Sequence, residues 1–423
     1  MAVESSTKAV SAVEKSRDMP SEKAMEFLYT VVRRDVDSSN DEGIKEKEQA
    51  IQRLGELMFE NKLKDDLCAL VKYIRPFLSC ISKAKSAKLV RNLLDLFLQL
   101  DSETTSAIEL CKECIEWAKA EKRSFLRQNL ESRLVALFLA SSQYTAALDL
   151  GSSLLRELKK LDDKALLVDV QLLESRVYYK LGNVTKSRAA LTSARTTANG
   201  IYTPPKMQAG LDLQAGILHA HDLDFKMGYS YLYESFEGFD SVNLTTSASL
   251  ALKYLLLCKI LQNSPEDVSA LLTTKLAQKY HGEASEAMSG VATACKNRSL
   301  CELKEVLASH EKEFSSDDVV RRHLDHLYDN LLEQNLLRLV EPFSRVQVAH
   351  IAKLITLPQD VVESKLSQMI LDKKVKGILD QGAGVLEVFD PSTSNQTYNS
   401  SVDTIKAMGK VVDGLYLRAR KLS

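Results

Sequence analysis

Residues 374–389 read KVKGILDQGAGVLEVF. The reading of Gly382-Ala383-Gly384 decides between a phosphate loop and a turn in a small sheet. A phosphate loop has a strand before its glycines and a helix after them, so that backbone amides and the helix dipole converge on the anion. Here the glycines run into Val385-Leu386-Glu387-Val388-Phe389, which is apolar, β-branched and alternating around Glu387. No lysine or serine/threonine follows to serve a phosphate. The stretch predicts two short strands, 375–379 and 385–389, joined by a hairpin whose glycines supply positive φ.

Upstream, Ser344 is a candidate helix cap, and Thr356-Leu357-Pro358 breaks the chain with proline suited to open the next helix. Val362, Leu366, Met369 and Ile370 then share one helical face. Helix, turn, helix and hairpin make a winged helix. Its second helix begins with Asp360 and Glu363, ahead of Lys365, Asp372, Lys373 and Lys374. Two carboxylates at that end repel phosphate, which disfavours DNA reading.

Most of the remaining chain predicts long helices. In 423 residues there are only 16 glycines and 8 prolines, so little punctuates it. Leu89, Leu93, Leu96 and Phe97 show the helical spacing, with Lys88, Arg91 and Asp95 between them. The breaks recur: SSQYTAALDL at 141–150, LGNVTKSRAAL at 181–191 and DLDFKMGYSYL at 222–232. Tyr144, Val184 and Phe225 stand 40 and 41 residues apart, each followed at +3 by a small residue, Ala147, Ser187 and Gly228. A large residue at a turn and a small one in the next helix allow close helix packing, the logic of a tetratricopeptide-like hairpin. A right-handed α-solenoid is favoured over an irregular bundle, and such an array suits the holding of partners.

Fifty-six basic residues face fifty-seven acidic ones, for a formal net charge of -1, which gives no global attraction to nucleic acid or anionic membrane. The first 20 residues lack an apolar core of signal-peptide length, and the longest apolar run, Leu134 to Ala140, is far too short to span a bilayer. An intracellular protein is expected, with sequons such as that at Asn395 chance matches. Seven scattered cysteines fit reduced thiols better than a disulfide framework. Cys111 and Cys114 form a CxxC inside a helical stretch with no second pair, and read as packed helical cysteines. His323, His326 and Asp329 share a helical face with no further ligand in view, whereas His219 and His221 point to different faces. No nucleophile motif, HExxH or Walker loop occurs, so no catalytic residue, cofactor or metal is assigned.

Two features suggest docking. Lys72, Arg75, Lys83, Lys85, Lys88 and Arg91 fall within residues 67–94 without an acidic residue among them. Such an unbalanced stretch favours an acidic protein surface or RNA, and sparse aromatics lower the RNA option. In the last helix, Ile405, Met408, Val412, Leu415, Ala419 and Leu422 recur in steps of three and four, the a/d seam of a helix that joins a bundle.

A helical solenoid running into a winged helix resembles the PCI-domain proteins. CIEWAKAEKRSFLRQNLESRLVALFL at 114–139, ELKKLDDKALLVDVQLLESRVYYKLGN at 157–183, LYDNLLEQNLLRLVEPFSRVQVAHIAKLI at 327–355 and KLSQMILDKKVKGILDQGAGVLEVFD at 365–390 look more narrowly like a PCI subunit of the 26S proteasome lid. The likeness runs from about residue 70 to the C-terminus. It implies a non-catalytic scaffold, cytoplasmic and nuclear, whose partners are other lid PCI subunits, an ATPase-ring subunit and a core-particle α-ring subunit, with neither membrane nor nucleic acid. The expected plan is a flexible N-terminus (1–20), an all-α tetratricopeptide-like solenoid (21–316), a PCI linker helix and winged helix (317–390), and a linker with a C-terminal bundle helix (391–423). Lys376, Ile378, Leu386 and Val388 are expected at a wing edge open to a neighbour's sheet.

Overall fold

A computed structural model describes residues 21–33, 41–78, 81–100, 104–280, 282–315, 317–355, 357–389 and 396–422. The expected flexible N-terminus, 1–20, lies outside them. In chain order the fold is an all-α tetratricopeptide-like solenoid, a winged helix and a terminal helix. It divides into two compact units, Met1–Leu255 and Leu256–Ser423.

The first unit holds α1 (Ser21–Arg33), α2 (Asp41–Glu60), α3 (Lys64–Leu78), α4 (Lys83–Leu100), α5 (Thr104–Ala120), α6 (Ser124–Ala140), α7 (Tyr144–Leu161), α8 (Lys164–Lys180), α9 (Val184–Ala198), α10 (Pro205–His221), α11 (Phe225–Ser241) and the start of α12 (Thr245–Leu261). Tyr144, Val184 and Phe225 open α7, α9 and α11, the second helices of three successive hairpins. The residues before them, Gln143, Asn183 and Asp224, adopt nearly one conformation, with φ -89, -92 and -88 and ψ 65, 77 and 70. Asn183 and Asp224 cap their helices by accepting from the amides of Lys186 (3.2 Å) and Met227 (3.3 Å).

The small residues sit where paired helices cross. Val135 and Ala147, Ser175 and Ser187, and Gly216 and Gly228 occupy equivalent places in the three hairpins, and all six are buried. The Ser175 hydroxyl donates to the Ser187 carbonyl at 2.9 Å, and the Ser187 hydroxyl donates back to the Ser175 carbonyl at 2.8 Å. Side chains that short bring two backbones within reach of each other. In the next hairpin even a hydroxyl is too large. A Cβ on Gly216 would lie 2.5 Å from Leu232 Cγ and 3.3 Å from the Gly228 carbonyl oxygen.

Arg123, in the turn between α5 and α6, closes the N-terminal part. It is buried, and its guanidinium donates to the Leu78 carbonyl at 3.0 Å and to the Ser86 hydroxyl while lying 5.0 Å from the Trp117 ring centroid. One side chain thus ties the end of α3 and the start of α4 to α5.

The second unit continues through α13 (Pro265–Leu272), α14 (Lys275–Lys279), α15 (Glu283–Asn297), α16 (Leu300–Ser309), α17 (Glu311–Ser315) and the long α18 (Asp318–Val340). The winged helix follows: β1 (Arg345–Gln347), α19 (Val348–Ile355), α20 (Gln359–Leu371), β2 (Gly377–Asp380) and β3 (Val385–Val388). Its sheet is antiparallel in the order β1-β3-β2, with Val346 opposite Leu386 and Leu379 opposite Leu386. Val346, Val348, Ile351, Val362, Leu366, Met369 and Leu386 form its buried core. Ile370 is only half-buried.

Three local expectations are corrected. Ser344 caps no helix; its carbonyl accepts from the Val388 amide at 2.9 Å, because β1 comes between it and α19. Only Gly384 of the hairpin glycines has positive φ, at 64°, while Asp380 Oδ1 holds the turn by accepting from the amides of Gly382 (3.0 Å) and Ala383 (3.1 Å). The first wing strand begins at Gly377 rather than Val375, since Val375 is still bonded back to the Met369 carbonyl of α20 at 3.3 Å.

The winged helix is fixed to α18 by Glu333, which takes Lys365 at 3.2 Å and Lys374 at 2.5 Å. Burial pushes the Glu333 carboxyl up, but the hydrogen bonds from Lys374 and Lys365 outweigh it and hold it below the usual carboxylate range. α21 (Gln396–Leu422) ends the chain.

Two outcomes are expected. Gly216→Ala lowers stability by about 1–3 kcal/mol, the usual range for overpacking a filled site, read from the shift of the urea midpoint. Glu333→Gln destabilises the fold at pH 7 by about 1–3 kcal/mol. Because the folded carboxyl titrates below its unfolded value, that loss shrinks as pH falls through about 4 and on to the lower folded value. Urea titrations at pH 7 and in acid check the sign.

Candidate interaction surfaces

The basic stretch is not unbalanced once folded. Lys72 and Arg75 of α3 meet Glu113 of α5 at 3.0 and 3.1 Å, and Lys85 of α4 meets Glu48 of α2 at 3.6 Å. The Lys72 hydrogen bond is the chief cause that holds the Glu113 carboxyl below its ordinary range. Arg91 is half-buried, with Nε enclosed and without a hydrogen-bond partner. The Lys83 side chain lies outside the described residues. Of the five whose side chains are described, Lys88 alone is exposed with no ion pair to another described residue. The stripe expected at 85, 88 and 91 therefore contracts to Lys88 and the half-exposed Lys85.

The wing edge is also smaller than expected. Leu386 and Val388 belong to β3, the central strand, paired on both sides. Leu386 is fully buried under that pairing. The edge strands are β1 and β2, and in β2 Ile378 is 58% exposed, with exposed Lys376 just before it. Lys376 gives its carbonyl to the Phe389 amide at 2.8 Å. No described strand covers the other side of β2.

The terminal helix presents a long apolar surface. α21 is 27 residues long, which is about 40 Å at the helical rise. Ile405, Met408, Val412 and Leu415 are 67%, 64%, 62% and 59% exposed, and Ala419 is exposed too. The Leu422 side chain lies outside the described residues. Val411, Tyr416 and Leu417 are exposed beside the seam, so the apolar surface is wider than one a/d line. Charge runs alone gave no sign of that second strip.

The motifs set aside from the sequence have ordinary surroundings. Cys111 and Cys114 are buried within α5, and burial pushes the Cys111 thiol up to about 12. His323 is buried, His326 Nδ1 lies 3.0 Å from Asn330 Nδ2, and Asp329 lies 3.7 Å from Lys365. Among the described residues no group of three His, Cys, Asp or Glu is placed to hold a metal ion. No described helix is long and apolar enough to cross a membrane. In α20, Lys365 is turned toward α18, while Glu363 accepts from Gln359 at 2.7 Å.

These surfaces and the fold beneath them define a PCI-type subunit built from helical hairpins, a winged helix and an uncovered terminal helix. Residues 5–141 match the 26S proteasome regulatory subunit RPN6 N-terminal domain, residues 307–390 the PCI domain, and residues 396–420 the RPN6 C-terminal helix domain. The chain is 49% identical over 402 residues to the 26S proteasome non-ATPase regulatory subunit 11 homolog of Arabidopsis thaliana, covering 95% of each. It is 48% identical to the probable 26S proteasome regulatory subunit rpn6 of Schizosaccharomyces pombe, with 98% of this chain and 97% of the relative covered. Against regulatory subunit RPN6 of Saccharomyces cerevisiae it is 43% identical, with 91% and 90% covered. The chain belongs to the family of 26S proteasome non-ATPase regulatory subunit 11, or RPN6.

Charge reversal should separate the two remaining kinds of cation. Lys88→Glu is expected to leave folding stability within about 0.5 kcal/mol of the parent, as for an exposed unpaired residue. Arg91→Glu, which puts a carboxylate into a half-enclosed site, is expected to cost about 1–3 kcal/mol. Urea unfolding of the two variants side by side makes the comparison.

Proposed function

We propose that this chain is a non-catalytic scaffold subunit of the 26S proteasome lid, required for lid assembly and for bracing the lid against the ATPase ring and the core-particle α-ring. Its partners on this reading are other lid PCI subunits, one ATPase subunit and one α-ring subunit. The observation that carries it is α21: a 27-residue helix with an exposed apolar seam, in the segment that matches the RPN6 C-terminal helix domain. In water such a seam is stabilised by a partner helix that fills it.

The other surfaces take roles consistent with this. The β2 edge, with Ile378 exposed, suits extension by a neighbouring winged helix. Lys88, exposed and without an ion pair among the described residues, suits an acidic patch on a partner of the solenoid.

The test is affinity purification of the tagged chain from its own cells at moderate salt, with and without residues 401–423. The full chain is expected to bring lid, ATPase and α-ring subunits. The truncated chain is expected to stay folded, because the seam it loses is already solvent-exposed, and to run free of the lid on native gels. Normal lid incorporation of the truncated chain, or recovery of signalosome or initiation-factor subunits or of nucleic acid in place of proteasome, overturns the proposal.

A further inference from the structure

The sequence contains two serine- or threonine-proline steps, Thr203-Pro204 and Ser264-Pro265. Ser264 stands at the N-cap position of the eight-residue α13 without a side-chain cap bond, and its neighbour Asn263 is held by Gln334 of α18 at 3.2 Å. The third residue after Ser264 is Asp267, paired with Lys259 at 3.1 Å. Thr203 lies in the connection 199–204 between α9 and α10, which is longer than the connections at 121–123, 141–143, 162–163, 181–183, 222–224, 242–244 and 262–264. There Tyr202 is 89% exposed, and Pro204 is extended, with φ -60 and ψ 147. Pro204, Pro205 and Lys206 are exposed and Thr203 is half-buried.

A protein kinase takes its acceptor in an accessible, extended segment. Proline just after the acceptor brings no N–H, so it suits a pocket in which any other residue would leave a donor unpaired. A base at the third position meets an anionic group on the kinase. Thr203-Pro204-Pro205-Lys206 offers the proline and the base together, with Pro204 extended and exposed and Lys206 exposed in the first turn of α10. Ser264 offers the proline alone, with the opposite charge at the third position.

We propose that Thr203 is a phosphorylation site for a proline-directed serine/threonine kinase that selects a base three residues on. Thr203 Oγ attacks the γ-phosphorus of MgATP. The bond to the β,γ-bridging oxygen breaks, ADP departs, and the hydroxyl proton passes to the kinase's catalytic carboxylate. Pro205 has no N–H and the Lys206 amide is among the helix's unbonded first donors, so opening the start of α10 to fit the kinase gives up the bonds that the Pro204 carbonyl accepts from the amides of Met207 (3.0 Å) and Gln208 (3.1 Å). The product places up to two negative charges beside Tyr202, on a turn with no acidic residue between 199 and 206.

The full-length chain is incubated with a purified cyclin-dependent kinase and MgATP, and the phosphate is mapped by mass spectrometry. Incorporation is expected at Thr203 and lost in Thr203→Ala. Lys206→Ala, an exposed change that keeps the acceptor, is expected to lower kcat/KM about tenfold, the worth of one charge-assisted contact. No incorporation, preferential modification of Ser264, or a parental rate for Lys206→Ala overturns the proposal.

Discussion

The closeness of two helix backbones within a hairpin is the constraint on which the solenoid rests. It is met at one crossing per hairpin, with Val135 and Ala147, then Ser175 and Ser187, then Gly216 and Gly228. As the side chains shrink, the contact changes from apolar packing to reciprocal hydroxyl–carbonyl bonds and then to bare backbone against a leucine. The caps and turns serve this crossing. They start the second helix at nearly the same angle each time, so the small residue falls opposite its partner.

That constraint is why the solenoid was legible. A small residue three places after a larger turn residue is a local pattern that survives in one sequence, and it gave the right phase for the three hairpins. The winged helix was legible through its apolar spacing and glycine turn. The strand β1 was not. Arg345-Val346-Gln347 is too short to show a period of two, and it runs directly into the apolar face of α19. Missing it had a consequence for the candidate site. Without β1, β3 looks like a free edge; with it, Leu386 and Val388 become the middle of the sheet.

The charged surface was the least legible part, for a related reason. Lys72 and Arg75 find Glu113 about forty residues away, and Lys85 finds Glu48 on an earlier helix. A window of sequence sees a run of cations; stacking places carboxylates of neighbouring helices beside them. Glu333 shows the same effect in the second unit, where it collects two lysines from elements the sequence separates from it. Charge in a helical repeat is balanced across helices rather than along them. Among the described residues, Lys88 is exposed with no carboxylate of a neighbouring helix paired to it.

The terminal helix has a bearing on the life of the chain before it meets any partner. An exposed apolar strip about 40 Å long is the kind of surface that chaperones bind and that drives self-association. On the reading proposed above, a newly made copy that stays unassembled carries its own mark of being surplus, and burying the seam erases that mark. Supply in excess of the other subunits would be cleared rather than stored, so the abundance of the chain would follow that of its scarcest partner.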